Sequence, residues 1–191
     1  MTWFRDFTTP LWEIFGGNLL LLITLIFYIA WWTLEFGPKG KTAGAGLFMA
    51  AAVFVGFTAI AVLALGINAL SPTTAGIPVP YILIGAVALY FLLLAVTTTL
   101  FHRAHTAELP LIVLWVALEG AAVAVLQGNG RLGTGQTALL IVLIGLATLV
   151  GLVCYILHYR FDEPARFWNG LIPLIGDAGM VAAFLAILGV S

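Results

Sequence analysis

Charge is what this chain has least of. Its 191 residues include seven Lys or Arg and eight Asp or Glu, 8% in all, against 63% hydrophobic residues. A soluble domain carries about a quarter charged residues, so a chain of this kind belongs in lipid. Only two lysines occur, Lys39 and Lys41, both in the GPKGK stretch at 37–41. No apolar stretch therefore offers an amine for a retinal-type Schiff base. The basic residues are scattered, which leaves no nucleic-acid stripe and no polybasic lipid-binding cluster. A single cysteine, Cys154, excludes a disulfide framework and quinone-linked disulfide chemistry. The two serines, Ser71 and Ser191, lie outside the apolar cores, so no serine–histidine–aspartate set falls within them.

What the chain does have is long apolar runs. Six are long enough to cross a hydrocarbon layer of about 30 Å, which takes around 20 helical residues. They are expected near 18–36, 44–68, 80–101, 109–127, 137–159 and 169–190. Glycine, proline and charge gather between them, as stop signals should. Residues 1–16 carry acids and a proline where an apolar signal core would sit, so no cleavable signal is expected. The aromatics there, Trp3, Phe4, Phe7, Trp12 and Phe15, suit a segment over 1–17 lying in the headgroup layer. The expectation is an all-α, polytopic membrane bundle, with residues 18–191 forming one six-span domain. Lys39, Lys41, Arg103, Arg160 and Arg166 fall on one side of the six spans, Arg5 and Arg131 on the other. That bias makes the first side cytoplasmic and predicts a multi-pass protein of the cell membrane with both termini outside.

Two acids interrupt the apolar runs: Glu119 in the fourth and Asp177 in the sixth. A charged side chain at the bilayer centre costs roughly 2.5–3.5 kcal/mol on insertion scales. No lysine or arginine shares their depth, so an internal salt bridge cannot keep them ionised. Each is protonated or meets a cation or polar ligand. Glu119 lies about 15 Å and Asp177 about 12 Å in from the same predicted side, at 1.5 Å rise per residue. At matched depth the two could share a proton. Trp115 stands one turn before Glu119 on the same helix face. The plainer alternative is that each acid bonds a backbone carbonyl and ties helices together.

Secondary signals surround this pair. Pro173, Gly176 and Gly179 suggest that the sixth helix breaks or unwinds near Asp177, or else that the glycines pack on a neighbour. Glu35, His102 and His158 lie at the predicted cytoplasmic ends and are candidates for a proton relay. His102, His105 and Glu108 have a helical ligand spacing but run into a loop before Pro110, so no metal site is expected. The stretch GNGRLGTGQ at 128–136 lacks the lysine and hydroxyl of a phosphate loop and reads as a flexible turn. Gly46, Ala50, Gly56 and Ala59 mark close helix packing, within the chain or in a homo-oligomer.

The function expected is that of a small transporter or channel-like protein. It would move a cation or small solute, linked to protons through Glu119 and Asp177, with Trp115 lining the path. No cofactor is expected, and the partners are the bilayer and the solute, not nucleic acid. One alternative is an enzyme in which Glu119 and Asp177 act as catalytic acids on a prenyl, sterol or other lipid. The other is an accessory subunit of a membrane complex.

Overall fold

The computed structural model describes residues 8–38, 42–71, 85, 88–95, 98–99, 108–158, 160–162 and 164–190, with side chains 108–111 excepted. These residues are helical, with no strand among them. The helices are α1 (Thr9–Phe36), α2 (Ala45–Leu70), α3 (helical over 88–95), α4 (Glu108–Gly128), α5 (Thr134–His158) and α6 (Ala165–Val190). Four of them, α1, α2, α5 and α6, are long and apolar enough to cross a membrane. The chain is an all-α, multi-pass membrane helical bundle. Half of the expected third span, 80–101, lies outside the described residues.

Lipid as solvent explains which side chains face outward. Leu47, Phe54 and Phe57 of α2 are 72–75% exposed, a liability in water and the normal state against hydrocarbon. Hydroxyls on outward faces find partners on their own helix. Thr33 donates to the Ile29 carbonyl at 2.8 Å, Thr58 to Phe54 at 3.0 Å and Thr99 to Ala95 at 2.7 Å. In hydrocarbon nothing else would accept those protons.

Contacts divide the chain into two compact units. The first comprises Met1–Gly66 and Gly145–Ser191, the second Ile67–Ile144.

In the first unit α1 packs along both α2 and α6. Against α2 the contact is made by small residues. A Cβ on Gly66 would stand 2.8 Å from the Pro10 carbonyl oxygen and 2.9 Å from Ile14. One on Gly17 would stand 2.9 Å from the Leu63 backbone nitrogen, and one on Gly56 would be 3.2 Å from Thr24. Residue numbers fall on α1 as they rise on α2, so the pair is antiparallel. The steps of three and four, 10–14–17 on one helix and 56–59–63–66 on the other, are those of a coiled-coil seam. Of the four small residues expected to pack, Ala59 is buried and Gly56 meets Thr24, whereas Gly46 and Ala50 face outward. The closest approaches are instead at Gly17 and Gly66.

Against α6, the fixed point is Trp32. Its indole Nε1–H donates to the Phe167 carbonyl at 3.1 Å, and its ring lies where a Cβ on Gly170 would be. The His158 ring of α5 packs on the same indole, centroids 5.7 Å apart. Asn169 Nδ2 donates to the Cys154 carbonyl at 2.6 Å, which ties α6 to α5. Three helices thus meet around one tryptophan at the C-terminal end of α1.

Two corrections concern helix boundaries. α1 begins at Thr9, so residues 9–17 continue into the first span, with Leu11, Ile14 and Gly17 buried. Pro10 at the helix start makes this possible, because its missing N–H costs nothing there. At 1.5 Å per residue the helix is roughly 42 Å long, which carries its first turns beyond the hydrocarbon layer. The turn after α4 is not loose. Gly130 adopts φ +69°, its N–H bonds the Gln127 carbonyl at 2.9 Å, and the Arg131 N–H bonds Leu126 at 2.9 Å. That is a Schellman stop. Gln136 then accepts the Gly133 N–H at 2.9 Å and starts α5 in capping-box fashion.

The Trp32 socket yields a test. Gly170→Val should destabilise the protein by about 1–3 kcal/mol through overpacking, and Gly176→Ala, with open space around it, should be neutral. Thermal unfolding in detergent, followed by near-ultraviolet circular dichroism, separates the two. Equal stability of both variants would contradict the socket.

Candidate functional site

The most demanding polar group in the protein is Glu119. It lies in the second unit, on α4, and is 0% exposed. Its helix neighbours Ala117, Ala121, Ala122 and Val123 are buried as well, so α4 is enclosed on almost every side at this level. Among the described residues, neither carboxylate oxygen has a hydrogen-bond partner. The expected alternative, a carboxyl tying helices together through a backbone carbonyl, needs an acceptor that the described residues do not bring to Glu119. An unpartnered buried polar group forgoes roughly 1–3 kcal/mol, more when it is charged.

Trp115 shares this condition. Four residues earlier on α4, its ring is half-buried and its Nε1–H is buried without an acceptor. The i, i+4 spacing puts both groups on one stripe of the helix. A donor and an acceptor pair thus line one face of α4, and each lacks the partner that hydrocarbon cannot supply. Thr137 Oγ1, at the start of α5 in the same unit, is a third buried atom without a partner.

Asp177 belongs to the first unit, near the middle of α6, and is half-buried. It lies seven residues after Gly170 and seven before the fully buried Phe184. Seven residues are nearly two full turns, so all three occupy the same face. Gly170 on that face meets Trp32 of α1. Gly176 and Gly179 point elsewhere, and a Cβ on either would meet nothing within 4 Å. The glycines beside Asp177 do not pack on a neighbour.

Nor is α6 broken. It runs as one helix from Ala165 to Val190 through Pro173. The helix starts earlier than expected, so Pro173 sits in its interior and deprives the Asn169 carbonyl of its usual donor. The side chain of that same asparagine anchors α6 to Cys154.

The rim residues divide between described and undescribed parts. Glu35 is half-buried in the last turn of α1, and His158 is half-buried against Trp32. His102 and His105 lie outside the described residues, as does the side chain of Glu108. Buried polar side chains missed from the sequence include Thr137, Asn169 and Asn18; the last, fully buried on α1, donates to the Ile14 carbonyl at 3.0 Å, while its Oδ1 has no partner. The available signal was a lone amide beside the apolar run 19–23.

Comparison with family models, characterised proteins and solved structures returns no match to this chain.

If Glu119 holds nothing together, an apolar replacement of similar shape should not weaken the fold. Glu119→Met is expected to leave stability unchanged or raise it by about 1–3 kcal/mol. Unfolding in detergent measures this, and a loss of more than about 1 kcal/mol would mean that the carboxyl has a structural partner.

Proposed function

We propose that the protein is a small transporter that moves a cation or small solute across the bilayer, linked to protons through Glu119 and Asp177. The observation that carries this reading is the fully buried Glu119 with both oxygens unpartnered. Ionisable groups inside a membrane are costly and by default mark ion or proton pathways. A group that makes no structural bond has its use in what it binds transiently: a proton, a cation or a polar solute. Trp115, one turn away with its own free donor, lines the same face and would contact the transported species.

Asp177 enters on different support. It is the one other acid within the described helix cores, and its α6 face continues the face that meets α1. In the proposal the two carboxyls take up and release the proton or ion in turn. His158 and Glu35, in the last turns of α5 and α1, pass protons to and from the aqueous side, a role expected from the sequence for His102 as well. In the proposal that side is the cytoplasmic one and both termini lie outside, as the bias of basic residues in the sequence suggests.

Reconstituted into proteoliposomes, the Glu119→Gln and Asp177→Asn variants should each lose at least about 90% of proton-linked flux, the effect expected when an ionisable pathway residue is neutralised. Both should retain the thermal stability of the parent. Undiminished flux in the two folded variants would remove the proposal. Turnover of a lipid substrate by the parent, without flux, would replace it with the enzyme alternative.

A further inference from the structure

Glu119 and Trp115 make different demands on whatever meets them. An ionised carboxyl takes positive charge or hydrogen-bond donors, whereas the indole Nε1–H needs a lone pair to accept it. Both polar groups are buried without a partner, four residues apart on α4, so their Cβ atoms are about 6 Å from each other. A bare metal ion answers the carboxyl but has no lone pair for the indole. Hard cations also take about six or more oxygen ligands, and the residues that share the face of Glu119 on α4, Val116, Ala122 and Val123, have apolar side chains. A neutral acceptor answers the indole and leaves a carboxylate unpaired in hydrocarbon. An occupant that suits both groups carries positive charge at one end and an oxygen acceptor a few bonds away.

Charge then sets the coupling. α4 carries no lysine, arginine or histidine. The other ionisable residues described in this unit are Arg131, in the turn after the helix, Tyr90 on α3 and Glu108 at the start of α4. Without a proton or a cation, Glu119 is a bare charge in an apolar setting, the costly state. A proton and a cationic cargo each remove that charge, and one carboxyl holds one of them at a time. The cargo arrives as the proton leaves, one positive charge for another, so no net charge accumulates at Glu119.

On the transport reading of Glu119, on which this rests, we infer that the cargo is a small organic ammonium ion bearing its own hydrogen-bond acceptor. It exchanges with a proton at Glu119, and Trp115 selects for the acceptor. Enclosure of α4 at this level keeps the cargo small.

Three probes test the inference. Choline joins a fixed positive charge to a hydroxyl, n-propyltrimethylammonium has the same shape with a methyl group in place of the hydroxyl, and sodium is a bare cation. Each is added outside proteoliposomes that hold a pH-sensitive dye. Choline should alkalinise the lumen, because protons leave as it enters, at least about fivefold faster than either of the others, the scale of one hydrogen bond. Glu119→Gln should abolish the signal. Trp115→Phe, which keeps an aromatic ring without the N–H, should lower the choline rate to that of n-propyltrimethylammonium, with thermal unfolding in detergent reporting its fold. A lumen that acidifies, sodium exchanging as fast as choline, or a choline preference that survives Trp115→Phe would overturn the inference and leave transport standing. Silence with all three probes would overturn it as well, and the transport reading falls with it only if a wider panel of solutes gives no proton-linked flux.

Discussion

Hydrocarbon offers no hydrogen bonds, and nearly every feature of this protein answers to that constraint. Backbone groups are satisfied within helices because no other described arrangement satisfies them without water. The same demand reaches the side chains. Thr33, Thr58 and Thr99 turn their hydroxyls onto their own helices, and Asn129 bonds both the Val125 carbonyl and, at 3.3 Å, the Leu70 carbonyl. Trp32 and Asn169 find carbonyls on neighbouring helices. Against so consistent a pattern, the few buried atoms without partners become informative.

With no hydrophobic drive between helices in lipid, association depends on close packing and a few polar ties. α1 uses both. Glycines on α1 and α2 let the backbones approach until a methyl group would not fit, which maximises dispersion contact along the seam. On its other side α1 inserts a tryptophan into the space that Gly170 leaves open. These are complementary solutions to one problem, small against small and large against absent.

The class of fold was legible because it depends on summed composition. Five of the six apolar runs correspond to α1, α2, α4, α5 and α6, with glycine- and proline-rich stretches between them. Boundaries were harder to place. Acids and aromatics over 1–17 suggested a separate segment, but Pro10 favours helix initiation, and Leu11 and Ile14 have a partner in α2. Likewise α6 starts ahead of Pro173 because Phe167 and Asn169 have partners to bury against. Tertiary contacts decide such matters, and no local pattern reveals them. Glycines show the same limit. Gly17, Gly66 and Gly170 look no different in sequence from Gly46 or Gly176, yet the first three sit at contacts and the others at open space. Of the candidate site, the identity of Glu119 and Trp115 could be read from spacing, whereas their lack of partners is a property of the folded chain.

That lack is what separates Glu119 from the other buried polar residues. Asn169 and Trp32 also place polar atoms in an apolar setting, but each forms a bond that joins two helices, so its cost is offset within the fold. Glu119 forms none among the described residues and sits on a helix whose own neighbouring alanines and valines are buried, where an apolar residue would carry no electrostatic cost. No hydrogen bond from its carboxyl to the described residues adds to the stability of the resting chain. A carboxyl in that position acquires a favourable partner only when something enters: a proton, which removes its charge, or a species that brings charge or hydrogen bonds of its own. Trp115, with an unused donor on the same face, restricts the second class to species that also offer an acceptor. On the proposed reading, the unpaired indole and carboxyl define what a bound species must offer, an acceptor to the one and a proton or positive charge to the other.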